Sequence, residues 1–535
     1  MLATPAQTDP YNVSMDLPDL IAALSDPAAY SRPGPVEVRQ THISAVFLVG
    51  DTVYKIRKPV NLGFVDFSTL VKRKHDCDEE VRLNRRLAPS VYRGVVPISI
   101  DEGKVRVGGS GEPIEWAVEM VRLPDDATLK MWLARDEITP AHIDRIARRV
   151  AEFHRSAERG DHVSRYGRFD VVAGNARENF AQTRAHVGVT VRPTVYDRVR
   201  ELTEKSLSDL KPLIESRAAR GVPCDTHGDL HLSHVYLFPN RPPPEDLVII
   251  DCIEFAERYR YADPVADIAF LVMDLIYHGR RDLARACADA YFAAAGDEEG
   301  RALLPFYVAY RAVVRAKVEG MQLAEREIPE EQKEFMRWKA PAHWLLALGV
   351  LEVPNRRPVL LLIGGLPGTG KSTLARGLAA AANFTVVRSD EVRKELAGVP
   401  VTEHAPNLYT REWTERTYSE CWRRAVELLQ DGCRVIVDAS FAEEARRGSF
   451  LYTARKQGVP SLLFICQTDP EVAQVRLRTR RGDASDAGWE VFQAMRDRWE
   501  APSPETRPCT TVIDTTDAAT AARAAIYVLR RMEMG

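Results

Sequence analysis

The chain has little that would suit an oxidising, membrane or nucleic-acid-coating role. Its eight cysteines, at positions 77, 224, 252, 287, 421, 433, 466 and 509, include no C-x-x-C pair and lie scattered along 535 residues. A small disulfide-stapled scaffold is thereby excluded, and the cysteines read as free thiols of a cytoplasmic protein. Long apolar runs are missing as well. The longest, such as Pro358 to Gly364 and Ala269 to Met273, are far too short to span a bilayer, so no membrane partner is expected. The start Met1-Leu-Ala-Thr-Pro lacks a basic stretch followed by an apolar core, so no secretory leader is expected. Charge of one sign is not in excess either: 73 Lys and Arg against 76 Asp and Glu give a net charge of −3. That balance excludes wholesale coating of nucleic acid and leaves room for a local basic groove. Internal repeats and low-complexity tracts are also absent.

What is present is enough chain for more than one hydrophobic core. Residues 1–35 read as a polar, Pro-containing lead-in with one short amphipathic helix, Leu17 to Leu24. Residues 36–351 read as a first domain, and residues 352–358, with two prolines and no apolar period, as a linker. Residues 359–535 then form the second domain. In it an apolar run, Val359 to Ile363, breaks into Gly365-Leu-Pro-Gly368-Thr369-Gly370-Lys371-Ser372-Thr373, and a helical pattern follows at once. This fits G-x-x-x-x-G-K-[ST] in its strand-loop-helix setting, a phosphate cradle built from backbone N–H groups. Lys371 is expected on the β- and γ-phosphates and the Ser372 hydroxyl on Mg²⁺. The cofactors expected are therefore ATP, with GTP as the alternative, and Mg²⁺.

Strand-like runs at Phe384 to Arg388, Arg434 to Val437, Ser461 to Cys466 and Thr511 to Ile513 alternate with helical stretches, the signature of a parallel sheet covered on both faces. Ligands bind outside the carboxyl ends of such strands. Two carboxylates fall there. Asp438 suits a metal-holding role. Asp390, with Arg393 one helical turn on, suits proton acceptance from a hydroxyl beside a charge-neutralising guanidinium, its bland alternative being a helix N-cap. Farther on, Arg476 and Arg480 stand i to i+4 and so share one helix face, from which both could clamp a phosphoryl group. A solvated basic helix is the alternative.

In the first domain, Ser44 to Val49 and Thr52 to Arg57 read as a hairpin about Gly50-Asp51. A charged helix from Ser68 to Leu87 and strands at Val95 to Ile100 and Ile114 to Val121 follow. Lys55 on the hairpin and Glu80 on the helix can form the ion pair that orients phosphates in protein-kinase-like folds, while Lys58, next to Pro59, is expected in solvent. Beyond Leu123 the pattern is mostly helical. His154, at helical spacing with Ile143, Ile146 and Val150, reads as a packed residue rather than a catalyst. Strand-like stretches return at Thr226 to Phe238 and Leu247 to Ile253. Asp263-Pro264 reads as an N-cap and first helical residue.

These residues carry three resemblances. Gly-Leu-Pro-Gly-Thr-Gly-Lys-Ser, Arg-Ser-Asp390-Glu-Val-Arg-Lys and Val-Asp438-Ala-Ser resemble the P-loop kinase group of gluconate kinases, zeta toxins and polynucleotide 5′-hydroxyl kinases. That implies phosphoryl transfer to a hydroxyl with Asp390 as base, and a basic lid over residues 476–486. His227-Gly-Asp229-Leu-His-Leu-Ser-His234 and Ile249-Ile-Asp251-Cys-Ile-Glu254 resemble the catalytic and metal segments of aminoglycoside phosphotransferases, implying Asp229 as base and Asp251 as metal ligand. His234 stands where that pattern has a metal-binding Asn, and imidazole is a poor partner for hard Mg²⁺. No G-x-G-x-x-G covers the phosphates here; Thr41 to Ser44 and Gly50 are all that could. The order of both parts is similar to a bacterial two-domain family described as aminoglycoside phosphotransferase-like/ATP-binding proteins.

The fold class expected is thus mixed α/β and α+β: a bilobal protein-kinase-like domain, then a P-loop kinase domain with a parallel sheet covered by helices. The expected function is ATP- and Mg²⁺-dependent phosphoryl transfer to a small-molecule hydroxyl, centred on the second domain, with the first a second kinase or a regulator. Two alternatives stay open: a polynucleotide 5′-hydroxyl kinase, with nucleic acid the less favoured partner, and a nucleotide-gated regulatory protein carrying an N-terminal pseudokinase. The acceptor and the oligomeric state are not encoded in these patterns.

Overall fold

A computed structural model of the chain describes residues 15–31, 34–63, 65–323, 330–480, 484–532 and 534. The first 14 residues and residues 32–33 of the expected lead-in, and the centre of the expected lid (481–483), lie outside the described residues. The chain divides into two compact units. One comprises residues 1–168, 213–271 and 285–301; the other comprises residues 169–212, 272–284 and 302–535. No described helix is long and apolar enough to cross a membrane.

In the first unit, strands β1 (Val36–Gln40), β2 (Ser44–Val49), β3 (Thr52–Arg57), β4 (Tyr92–Asp101), β5 (Lys104–Val107) and β6 (Pro113–Val121) form one antiparallel sheet. Their order is β1-β2-β3-β6-β4-β5. Successive side chains of a strand point to opposite faces, and this sheet buries both. Ile56 and Ala117 turn to one side, where the helix Leu17–Leu24 supplies Leu20 and Leu24. Val118 turns to the other, against Cys77 and Val81 of the helix Leu70–Asn84. The pleat that sends Ile56 one way sends Lys55 and Arg57 the other, toward that second helix.

The hairpin β2–β3 turns at Gly50-Asp51 as expected, with Val49 paired to Thr52. An additional edge strand, β1, pairs with β2. It makes Lys55 a residue of the third strand and leaves Thr41 to Ile43 as the turn between the first two. Lys58 is buried rather than solvated. Its backbone N–H still donates to Ile43 (2.8 Å) and its carbonyl accepts from Val60 N–H (2.8 Å), so the chain folds back beside it. The stretch Thr226 to Phe238, expected as a strand, is mostly loop. Short pairs replace the long strands: β7 (Cys224–Asp225) with β10 (Tyr261–Ala262), and β8 (Val235–Leu237) with β9 (Leu247–Ile249).

The second unit holds five parallel strands, β11 (Val359–Gly365), β12 (Phe384–Arg388), β13 (Arg434–Asp438), β14 (Ser461–Gln467) and β15 (Thr510–Asp514), ordered β12-β13-β11-β14-β15. Every residue of β11 is buried, as a central strand covered on both faces requires. Helices Lys371–Ala382 and Ala518–Arg531 cover one face through Leu374, Leu378, Ala525 and Leu529. Helices Arg411–Gln430 and Glu444–Lys456 adjoin β13 and β14. The residues 352–358 contain a single helical turn, Pro354–Arg356, and Glu352 is buried with Arg198 Nε at 2.7 Å from its carboxylate.

The Asp263 cap is tied into a larger arrangement. Its Oδ1 accepts from Val265 N–H (3.0 Å), and both its oxygens accept from the buried Arg217 guanidinium at 2.7 and 3.1 Å. Arg217 also forks onto Asp297 with two contacts of 2.7 Å. Removing the guanidinium strands a buried carboxylate. Arg217→Met should therefore destabilise the first unit by about 3–5 kcal/mol, read as a lower urea midpoint in its unfolding transition.

Candidate functional site

The described part of the second unit contains an open cleft of about 1200 Å³ at the carboxyl ends of its strands. Its floor is the loop between β11 and the helix Lys371–Ala382. Gly368 sits there at φ +78°, and a Cβ on it would lie 2.8 Å from the Ala473 carbonyl oxygen, so only glycine fits the close approach. Gly365 and Gly370 complete the turn, Gly370 as the helix N-cap. Thr369 is buried and donates its hydroxyl to the Leu366 carbonyl (2.8 Å), whereas Thr373 is exposed on the cleft wall. The Lys371 ammonium lies on the Leu366 carbonyl at 2.9 Å, folded over the loop it would share with a phosphate.

Ser372 and Asp438 meet. Burial raises the Asp438 carboxyl, opposed by the Lys371 charge and a hydrogen bond from Ser372. Its Oδ2 is buried without a hydrogen bond among the described residues, 3.6 Å from Arg388 Nε. A hydroxyl beside a carboxylate with a lone pair to spare is an all-oxygen donor set, and it fits Mg²⁺.

Asp390 is not an N-cap. The helix Ser389–Ala397 has Arg388 at its cap without a side-chain bond, and Asp390 stands inside its first turn, facing the cleft. The Tyr409 hydroxyl donates to Asp390 Oδ1 at 3.2 Å and accepts from the Asp486 backbone N–H at 3.3 Å. Arg393 also lines the cleft. It is buried, donates to the Leu408 carbonyl (3.1 Å) and stacks 4.3 Å over the Tyr409 ring.

Arg476 donates through one nitrogen to the Thr515 and Thr516 carbonyls at 2.9 and 2.8 Å, and its Nη1, beside Gly370, is buried without a hydrogen-bond partner among the described residues. Arg480 lines the same cleft but not the same helix face. The helix Pro470–Thr479 ends one residue earlier, and Arg480 Nη2 reaches the Ala487 carbonyl at 2.6 Å. Sequence reasoning missed Tyr409, Arg388 and Thr515, whose hydroxyl donates to the Thr369 carbonyl and steadies the loop. Arg388 opens the segment Arg-Ser-Asp390 without having been given a role, and a tyrosine 19 residues beyond Asp390 carries no local signal.

The first unit assembles a second constellation. Lys55 Nζ lies 2.9 Å from Glu80 Oε1 and 3.3 Å from Asp251 Oδ1. Burial pushes the Lys55 ammonium down, and Asp251 and Glu80 outweigh it, so the net shift is upward. Lys55 in turn holds the Asp251 carboxyl well below the usual range. Arg57, which the motif reading passed over, is fully buried and bridges Asp76, Glu80 Oε2 (2.6 Å) and Glu254. Its signal was the strand alternation that puts Lys55 and Arg57 on one face.

The loop carrying Asp229 hangs on Asp267. His227 and Gly228 donate their backbone N–H groups to its two oxygens at 2.6 and 2.8 Å. His154 is a packed residue as expected, and it braces the same carboxylate from behind: Nε2 is 3.1 Å from Asp267 Oδ2 and Nδ1 is 2.8 Å from the Tyr291 hydroxyl. His234 Nδ1 donates to the Asp229 backbone carbonyl at 2.9 Å, while Nε2 lies 3.4 Å from Asp251 Oδ2. Burial, then the neighbouring His231, pushes the His234 imidazole down to about 4, so the ring is neutral. This mixed nitrogen and oxygen set does not fit Mg²⁺.

The comparisons agree with this two-part architecture. The family described as "Phosphotransferase enzyme family" matches residues 64–306, and the family described as "AAA domain" matches residues 360–502. Among solved structures, a gluconokinase from Sinorhizobium meliloti 1021 is similar at 19% identity and TM-score 0.26, covering 33% of this chain and 95% of its own. A choline/ethanolamine kinase family protein from Mesorhizobium loti is similar at 15% identity and TM-score 0.34, covering 60% and 89%. Two curated relatives, "Uncharacterized protein Rv2004c" of Mycobacterium tuberculosis (strain ATCC 25618 / H37Rv) and "Uncharacterized protein Mb2027c" of Mycobacterium bovis (strain ATCC BAA-935 / AF2122/97), are each 34% identical over 468 residues. The alignments span 86% of this chain and 90% of the relatives. In class the chain is an ATP-dependent kinase, and it belongs to the family of these mycobacterial proteins, with a phosphotransferase-family domain followed by a P-loop domain.

Proposed function

We propose that the chain transfers the γ-phosphoryl group of ATP to a hydroxyl of a small molecule, and that the chemistry takes place in the cleft of the P-loop unit. GTP is the alternative donor. One observation carries the reading: Asp390, a carboxylate held by Tyr409, lines the same cleft as Lys371, Ser372 and Asp438. An enzyme that only hydrolyses nucleotide needs to position a water; a carboxylate and Arg393 on the facing helix suit a carbon-borne hydroxyl. The cleft volume also accommodates a nucleotide together with a small acceptor.

In this mechanism the acceptor oxygen forms its bond to Pγ as the bond from Pγ to the β-phosphate oxygen breaks, and the hydroxyl proton passes to Asp390. Tyr409 keeps the receiving carboxylate oriented. Lys371, Arg393 and Arg476 offset the negative charge on the transferring group, and Arg480 closes the same wall. Mg²⁺, held by Ser372 and Asp438, would supply further charge neutralisation on the phosphates. The Lys55, Glu80, Asp229 and Asp251 constellation makes the first unit a nucleotide-binding candidate, acting as a second kinase or as a regulator of the first site.

The test is transfer from labelled ATP into a fractionated metabolite extract. Lys371→Ala should lower formation of the labelled product by roughly 10²–10³-fold. Asp390→Asn should leave ATP affinity within a factor of two or so and lower transfer about 10²–10⁴-fold; full activity in that variant would remove Asp390 from the mechanism. Product loss confined to Asp229→Ala would move the chemistry to the first unit. A 5′-hydroxyl oligonucleotide assayed alongside should remain unlabelled.

A further inference from the structure

The pairing of His234 with Asp251 leaves two electron pairs facing each other. A backbone carbonyl can only accept, so the contact from His234 Nδ1 to the Asp229 carbonyl (2.9 Å) fixes the ring proton on Nδ1. In the neutral ring the other nitrogen, Nε2, then carries a lone pair, and the atom it faces at 3.4 Å is a carboxylate oxygen, Asp251 Oδ2. Neither atom can supply a proton to the other. Lys55 does not bridge them, because its ammonium lies on the opposite oxygen, Asp251 Oδ1, and on Glu80.

The spacing and tautomer are those of two ligands of one small cation. Bonds of about 2.0–2.2 Å to imidazole nitrogen and carboxylate oxygen, opened to a near-tetrahedral angle, hold the two donors about 3.4 Å apart. A metal-bound imidazole characteristically donates its other N–H to a carbonyl or carboxylate, as His234 does. Further donors stand close. Asp229, His231 and His234 each offer a ligand atom within 4.8 Å of the others, and the His231 ring stacks on His234 at 3.8 Å between centroids. His231 Nδ1 accepts from Ser233 N–H (3.2 Å), so its Nε2 carries the proton and faces Asp229 Oδ2 at 3.5 Å; it orients Asp229. The Asp251 side chain remains 46% exposed, which leaves room for water or a phosphate oxygen to complete the coordination.

We propose that the first unit binds a divalent transition ion, Co²⁺ or Zn²⁺ most tightly and Mn²⁺ less so, between His234 Nε2 and Asp251 Oδ2, in preference to Mg²⁺. Imidazole raises affinity for these ions and adds little for Mg²⁺, which takes oxygen ligands and gives up water reluctantly. The site is separate from the all-oxygen pair Ser372 and Asp438, and the inference stands whichever acceptor the P-loop cleft takes.

The experiment uses the full-length chain without nucleotide. Mn²⁺ is added and the electron-spin-echo modulation of the bound ion is recorded; the expected result is coupling to an imidazole ¹⁴N. Co²⁺ titration followed by visible absorption should give a nitrogen-ligated spectrum, and calorimetry should show Mg²⁺ competing weakly for that site. His234→Ala should abolish the ¹⁴N coupling and weaken Co²⁺ by at least about tenfold, with circular dichroism unchanged. His234→Asn, which puts an amide oxygen back, should shift the preference toward Mg²⁺. Absence of ¹⁴N coupling in the wild type overturns the proposal without recourse to any variant. So does a His234→Ala chain that binds Co²⁺ with the same affinity and spectrum, or Mg²⁺ binding as tight as Mn²⁺.

Discussion

A cation can be taken out of water only where carboxylates already wait for it, and the first unit is built round that demand. Lys55 and Arg57, two residues apart on one strand, both face the helix Leu70–Asn84. That helix answers with Asp76 and Glu80, and the segment after β9 answers with Asp251 and Glu254. Strand, helix and metal-type segment are therefore fixed relative to one another by charge as much as by apolar contact. Burial raises the Glu254 carboxyl and Arg57 draws it down, with burial the stronger of the two, so the net shift is upward.

The P-loop cleft inverts the arrangement. Among the described residues its charged groups are incompletely answered: Arg476 Nη1 and Arg393 Nε are buried without hydrogen bonds there, and so is Asp438 Oδ2. Buried polar atoms without partners are costly in a finished core. Donors and acceptors of both signs left open round one loop are what a phosphate ester and its metal would satisfy, so the cost is borne by the free protein and recovered on binding.

How much of this the sequence disclosed follows from where each signal is written. The parallel sheet was legible nearly to the residue, because strands buried on both faces are runs such as Val359 to Ile363 and Arg434 to Val437. Gly50-Asp51 announced its hairpin. The edge strands β1 and β5 were missed because Val36-Glu-Val-Arg-Gln40 and Lys104-Val-Arg-Val107 are half solvated and charged, so they look like loop. Thr226 to Phe238 looked like strand by composition, but only Val235–Leu237 enters a ladder, and the backbone N–H groups of His227, Gly228 and Ser233 go to the side chains of Asp267 and His231 instead. The motif residues Lys55, Glu80, Asp390 and Asp438 were found by local pattern. Arg57 was signalled only by the strand alternation it shares with Lys55; Tyr409 and Thr515 act through partners distant in sequence, and no window along one chain contains that information.

The Tyr409 hydroxyl has one proton to share, and it donates that hydrogen bond to Asp390 while accepting one from the Asp486 backbone N–H. Asp486 is itself anchored, accepting from the Ala405 N–H at 3.1 Å and pairing with buried Lys394 at 3.3 Å. The carboxylate at the heart of the cleft and the far end of the basic segment after Arg480 are thus latched by a single phenol. Displacing Asp486 would take from the Tyr409 hydroxyl one of the two hydrogen bonds that fix it, and would loosen the hold of that hydroxyl on Asp390.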